Sequence, residues 1–101
     1  MLQKLKTLLQ AEIDPAFAKR AAFIITEIEK KKPAKILDVG CGRGFYVQAM
    51  TNYAFISEIQ GIDINMAYLK KARKIINDRR VKLNQASIYS LPYPRNYFDC
   101  I

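Results

Sequence analysis

The chain is short of several residue types that support particular chemistries. Among its 101 residues it has no histidine, no tryptophan and two cysteines, Cys41 and Cys100. Zinc sites need clustered cysteine or histidine at short spacings, so the sequence predicts no metal site and two reduced thiols. No apolar run approaches the ~20 residues of a membrane span, and no secretory signal is recognisable. We expect a cytoplasmic protein without a membrane span.

Acidic residues are also scarce. Nine aspartates and glutamates face 17 lysines and arginines, which gives a formal net charge of +8. Such an excess is a reason to consider nucleic-acid binding. The cations lie around Pro33 and along the segment after Asp63, without interleaved aromatic residues. A solvated helix face explains this pattern better, so nucleic-acid binding is the less favoured interpretation.

Glycine is rare, and its placement is therefore informative. Three of the four glycines are Gly40, Gly42 and Gly44, directly after the apolar run at residues 36–39. A buried strand that ends in G-x-G-x-G predicts a parallel α/β sheet with a ligand-binding turn, because glycine permits positive φ and close backbone approach. The dinucleotide fingerprint needs a small residue at the position of Phe45. A dinucleotide-binding domain is accordingly the less favoured interpretation.

The stretch D-V-G-C-G-R-G at residues 38–44 resembles motif I of the class I S-adenosylmethionine-dependent methyltransferases. Residues 57–65 resemble the family's second strand, residues 81–93 its third strand and adenine loop, and residues 97–101 the opening of its fourth strand. The resemblance covers residues 35–101. It implies a Rossmann-like α/β fold with a parallel sheet, of which strands 1–4 of seven are present after N-terminal helices.

The resemblance also implies residues that bind S-adenosylmethionine. Asp38 is expected to orient the turn and the methionine end of the cofactor, and Asp63 to accept both ribose hydroxyls. A capping role for Asp63 is the alternative, although Asn65 is placed to cap the next helix instead. If Asp63 only binds ligand, the fold should tolerate its loss. Ser87 stands where the family usually has an aspartate for the adenine amino group, and a neutral acceptor is weaker by about 1 kcal/mol.

The remaining cofactor residues are expected to shape the turn or to pack on the adenine. The turn residues are Gly40, Cys41, Gly42 and Gly44, and the adenine contacts are Ile64, Met66 and the backbone amide of Ile88. The helix amides near Cys41 could lower its pKa, but cysteine is common at this position in the family, so a reactive role is disfavoured. No catalytic residue is identified, since acceptor-binding residues of the family follow the fourth strand, and the methyl acceptor is unknown.

The sequence divides into N-terminal helices at residues 1–32 and a cofactor-binding half-domain at residues 33–101. Leu2, Leu5, Leu8, Leu9 and Ile13 recur at helical spacing, and Asp14-Pro15 is typical of a second helix start. The resemblance suggests the N-terminal half of a methyltransferase, inactive alone and able to self-associate through its exposed sheet edge. The alternative is a non-catalytic cofactor-binding or assembly module.

Overall fold

A computed structural model describes residues 1–101, which form two compact units, Met1–Lys32 and Pro33–Ile101. The first unit contains helices α1 (Gln3–Gln10) and α2 (Pro15–Lys31). The Asp14 side chain accepts from the backbone amides of Ala16 at 3.0 Å and Phe17 at 3.3 Å, so it caps α2 as the sequence predicts. At the other end Lys32 adopts a left-handed conformation with φ 46°, which ends the helix before Pro33.

The apolar face of α1 is narrower than its periodicity predicts. Leu5 is buried, whereas Leu8 is 52% exposed. Ile13 is 95% exposed because α1 ends at Gln10, so the periodic pattern continues past the helix. In α2 the buried side chains are Ala21, Ile25 and Ile28.

The second unit alternates strands and helices around a parallel sheet. Its elements are β1 (Lys35–Val39), α3 (Phe45–Met50), β2 (Glu58–Asp63), α4 (Met66–Ile75) and β3 (Val81–Gln85). The sheet order is β1-β2-β3, with Leu37 opposite Gln60 and Gln60 opposite Lys82. The Rossmann-like α/β fold is thereby confirmed. No helix is both long and apolar enough to cross a membrane.

The expected fourth strand is present only as a single parallel bridge between Ile36 and Cys100. The Leu37 amide donates to the Cys100 carbonyl at 3.0 Å, on the edge of β1 that does not face β2. The Asp99 carboxylate accepts from the amides of Ala34 and Lys35, both at 2.9 Å. These bonds fix residues 99–100 beside β1. Because only one bridge forms there, the sheet has three full strands rather than four.

Arg80, just before β3, ties distant parts of this unit together. Its guanidinium donates to the carbonyls of Thr51 at 2.7 Å and of Tyr53 and Ile56 at 2.8 Å, all in the segment between α3 and β2. It also pairs with the Asp78 carboxylate at 2.8 Å. Hydrogen bonds from Arg80 lower the pKa of Asp78 to about 2.

Candidate functional site

The glycine-rich turn follows β1 at the carboxyl end of the sheet. Gly40, Gly42 and Gly44 all have positive φ, at 73°, 55° and 90°. The amides of Gly40 and Cys41 donate to the Ile62 carbonyl at 2.8 and 2.9 Å. The turn is therefore fixed to the end of β2, and its left-handed residues explain why glycine is needed there.

The space around the three glycines differs. A Cβ atom on Gly44 would lie 2.7 Å from Ile76 Cδ1 and 3.2 Å from Ala72 Cβ, so this glycine allows the turn to pack against α4 and the residue that follows it. A Cβ atom on Gly40 or Gly42 would meet nothing within 4 Å. These two positions border open space, where a ligand can approach the backbone.

Asp63 ends β2 and already has two partners within the protein. Its Oδ2 accepts from the Gly42 amide at 2.9 Å, and its Oδ1 accepts from the Asn65 amide at 2.8 Å. Asn65 caps α4 by accepting from the Tyr68 amide at 3.2 Å, as the sequence allowed. Because this carboxylate joins the turn to β2, we predict that the fold loses stability without Asp63, in contrast to the expectation from the sequence. A carboxylate has about four acceptor positions, so Asp63 retains capacity for further donors.

Asp38, in β1, is in the opposite situation. Its Oδ2 atom is buried without any hydrogen-bond partner. Burial, and secondly the charge of Asp63, raise the pKa of Asp38 to about 6. A carboxylate oxygen that is buried without a partner is costly, and a cation or donor placed beside it would remove that cost.

Cys41 is buried, and its thiol is not activated. A Cβ atom on Gly61 of β2 would lie 3.0 Å from Cys41 Sγ, so the missing side chain of Gly61 makes room for the thiol. Burial, followed by the charges of Asp38 and Asp63, raises the pKa of Cys41 to about 11. The lowered pKa considered from the sequence is wrong, since burial and nearby carboxylates outweigh the helix amides.

The residues after β2 and β3 lie near the same end of the sheet, because parallel strands point the same way. The Ala86 amide donates to the Asp63 carbonyl at 3.3 Å, and Gln85 Nε2 donates to the Ile64 carbonyl at 3.0 Å. The sequence does not single out Gln85, although a polar residue at a strand end was a usable signal. These contacts bring the loop after β3 beside the end of β2.

The four expected adenine residues differ in exposure. Ile64 is 70% and Ile88 is 62% exposed, while Met66 and Ser87 are half-buried. Ser87 Oγ accepts from the Tyr89 amide at 3.1 Å, which folds the loop back on itself. The structure places two large exposed apolar side chains, Ile64 and Ile88, in the segments that follow β2 and β3.

Comparison with known proteins identifies the family. Residues 37–101 match the family model described as the methyltransferase domain. The malonyl-[acyl-carrier protein] O-methyltransferase of Legionella pneumophila is 31% identical over 94 residues, covering 92% of this chain and 31% of that protein.

Two solved structures are also similar. An S-adenosylmethionine dependent methyltransferase from Mesorhizobium loti has a TM-score of 0.59 and 28% identity, covering 64% of this chain and 30% of that one. The [4+2]-cyclase SpnF has a TM-score of 0.66 and 30% identity, covering 81% of this chain and 32% of that one.

The chain belongs to the class I S-adenosylmethionine-dependent methyltransferases, a family of enzymes whose cofactor is S-adenosylmethionine. It spans about a third of the length of the curated relatives that it matches, between 29% and 35%. The matched region contains the last three residues of β1, the glycine turn and the loops after β2 and β3.

Proposed function

We propose that this protein transfers a methyl group from S-adenosylmethionine, and that the turn after β1 and the loops after β2 and β3 bind the cofactor. The observation that carries the proposal is the unpartnered Oδ2 of Asp38 next to a turn with open space at Gly40 and Gly42. The methionine end of the cofactor carries an ammonium and a sulfonium. A buried carboxylate without a partner fits a positively charged group.

Asp63 is proposed to accept from the ribose hydroxyls. Its two existing bonds, to the amides of Gly42 and Asn65, fix the carboxylate at the end of β2 and leave acceptor capacity. Gly40 and Gly42 allow the ligand to approach the backbone, because neither carries a side chain into that space.

The adenine is proposed to lie between the loops after β2 and β3. Ile64 and Met66 offer apolar surface from one side, and Ile88 offers its backbone amide from the other. Ser87 supplies a neutral acceptor, which costs about 1 kcal/mol of affinity relative to a carboxylate. Cys41 and Gly44 shape the turn, since the thiol packs at Gly61 and Gly44 packs against α4.

S-adenosylmethionine, when bound, supplies an activated methyl group on a sulfonium. Displacement at that methyl depends on alignment, and holding two reactants in place lowers a barrier by about 7 to 11 kcal/mol in ideal cases. The residues described here therefore contribute by binding and orientation. Asp38 holds the charged end, Asp63 holds the ribose, and no proton transfer is assigned to either.

Calorimetric titration of the full-length protein with S-adenosylmethionine and with S-adenosylhomocysteine tests the binding proposal. We expect one molecule of either ligand to bind per chain and NAD to give no heat. Asp38→Ala should abolish most of the binding, and Glu27→Ala, which removes a carboxylate of α2 paired only with Lys30, serves as a control outside the site. Binding of NAD without binding of either adenosyl ligand would refute the proposal.

A second candidate follows from the likeness to SpnF, which is named as a cyclase rather than a methyltransferase. In this candidate the protein binds the cofactor without transferring its methyl group. An assay for S-adenosylhomocysteine release, run over a panel of acceptors of different chemistry, separates the two. Release that depends on an acceptor supports methyl transfer, and binding without release across the panel supports the second candidate.

Self-association of the chain, predicted from the sequence, stays a prediction. The outer edge of β1 is paired only near Lys35 and Leu37, so this chain by itself is expected to self-associate through this edge. Light scattering over a range of concentrations measures this, and a monomer at every concentration would contradict it. Cytoplasmic location and the lower weight given to nucleic-acid binding stay predictions as well.

A further inference from the structure

The loop after β3, residues 86–91, has few bonds that fix it to the sheet. Its internal bonds are local, from the Tyr89 amide to Ser87 Oγ at 3.1 Å and from the Ser90 amide to the Ser87 carbonyl at 3.1 Å. Ile88 is 62% and Tyr89 is 96% exposed. A loop of this kind is positioned mainly by what holds its two ends.

The downstream end is held by a hydrogen-bond network of four side chains, Glu58, Gln60, Tyr93 and Tyr97. The Tyr93 hydroxyl donates to Gln60 Oε1 at 2.9 Å, and Gln60 Nε2 donates to Glu58 Oε2 at 2.7 Å. The Tyr97 hydroxyl donates to the same carboxylate at 2.7 and 2.9 Å. Gln60 therefore uses both ends of its amide to connect Tyr93 to Glu58.

Gln60 is the one polar side chain among the buried residues, at 7% exposure. Buried polar groups persist when they are fully hydrogen-bonded, and removal of one partner leaves the other unsatisfied. The Phe98 ring packs edge-on against both Tyr93 and Tyr97, with centroids 4.9 Å apart in each case. Burial raises the pKa of Tyr93, and a side-chain hydrogen bond with Asn84 of β3 acts in the opposite direction.

Two prolines restrict the backbone on either side of Tyr93. Pro92 and Pro94 flank Tyr93, and each fixes its own φ near the same value. Ser87 and Ile88 lie six and five residues before Tyr93, respectively. A bond at Tyr93 therefore restricts the positions that this loop can adopt.

We propose that Tyr93 is a positioning residue for the adenine of the cofactor: through its hydrogen bond to Gln60 it holds the loop of Ser87 and Ile88 in place on the sheet. This inference rests on the proposed function, in which that loop receives the adenine. Tyr93 contacts Gln60 of β2 and does not contact the reacting atoms. Its loss should weaken contacts to the adenine and leave contacts to the ribose and the amino-acid end unchanged.

The test compares two ligands in the full-length protein. S-adenosylhomocysteine carries the adenine, whereas S-ribosylhomocysteine has the same ribose and amino-acid end without the base. Tyr93→Phe should weaken binding of S-adenosylhomocysteine about 5-fold to 10-fold, the loss expected for one buried hydrogen bond. Binding of S-ribosylhomocysteine should not change. A general structural defect would weaken both ligands alike.

Tyr97→Phe is the matched control, because it removes a hydroxyl from the same network next to Phe98 but four residues further from the loop. We expect no adenine-specific loss in this variant. The double variant Tyr93→Phe/Gln60→Leu should lose no more adenine-specific affinity than the more affected of the two single variants. Both substitutions remove the same Tyr93–Gln60 hydrogen bond.

Three outcomes overturn the inference: equal losses for both ligands, no loss in Tyr93→Phe, or the same adenine-specific loss in Tyr97→Phe. Each leaves the proposed function standing, provided that the unchanged protein binds S-adenosylhomocysteine. Failure of the unchanged protein to bind S-adenosylhomocysteine removes the proposed function, and this inference with it.

Discussion

Replacement of Asp38 by asparagine should make the ligand-free protein more stable while it weakens cofactor binding. In the folded protein the pKa of Asp38 is raised from an ordinary value of 3.8 to about 6 by burial and by Asp63. Each pH unit corresponds to about 1.36 kcal/mol. The ionised carboxylate therefore costs the folded state up to about 3 kcal/mol at pH 7.

The pH dependence of this cost has a definite sign. Below pH 3.8 the Asp38 carboxyl is protonated in the folded and unfolded states, so it costs nothing. As the pH rises to about 6 the unfolded chain ionises first, and above this value the folded state carries the whole cost. Asp38→Asn should thus gain stability at pH 7, and the gain should shrink as the pH falls from about 6 towards 4.

Urea unfolding without ligand, at pH 7 and at pH 4.5, measures the difference. Calorimetry should show S-adenosylhomocysteine bound about 10-fold to 100-fold more weakly by Asp38→Asn, since a charge-assisted bond contributes about 1.5 to 3 kcal/mol. In the unchanged protein, affinity should also fall as the pH drops through about 6. A variant that is less stable than the unchanged protein at pH 7 would refute the reasoning.

Three further predictions concern the site and its support. Asp63→Ala should weaken cofactor binding by about 2 to 3 kcal/mol in calorimetry. It should also lower the free energy of unfolding without ligand by about 1 to 3 kcal/mol, because two backbone amides lose their acceptor. Unchanged stability without ligand would contradict the second part. Gly44→Ala should be less stable in urea than Gly40→Ala. Both strain the backbone by about 1 to 3 kcal/mol, but only the first brings a Cβ atom to 3.2 Å from Ala72 Cβ, which cannot rotate away from α4; the reverse order would contradict this. Asp78→Asn should destabilise the protein at pH 7, and the effect should fade in urea titrations as the pH drops below 3.8 towards about 2, since Arg80 lowers the pKa of Asp78; a constant effect across that range would contradict it.

Much of the fold could be predicted because its signals are local. The apolar run before Gly40 predicts β1, and the structure has this strand at Lys35–Val39. Gly40, Gly42 and Gly44 all have positive φ, as the G-x-G-x-G spacing predicts. This could be predicted because it depends on the backbone of adjacent residues alone. Asn65 as the cap of α4 likewise depends on residues that are adjacent in sequence.

The features that the sequence did not predict depend on residues far apart in the chain. The unpartnered Oδ2 of Asp38 is a property of its surroundings and leaves no local pattern. Tyr93 bonds to Gln60 across 33 residues, and only the presence of glutamine within an apolar strand hinted at it. Ile13 shows the converse, since its helical periodicity continued where the helix had ended.

The guanidinium of Arg80 affects how the unit Pro33–Ile101 unfolds locally. One side chain holds the carbonyls of Thr51, Tyr53 and Ile56, which come from the segment between α3 and β2. When the start of β3 detaches, these three carbonyls lose their donor in the same event. The segment and β3 therefore belong to one cooperative unit of local unfolding, and their amides should exchange with solvent together rather than strand by strand.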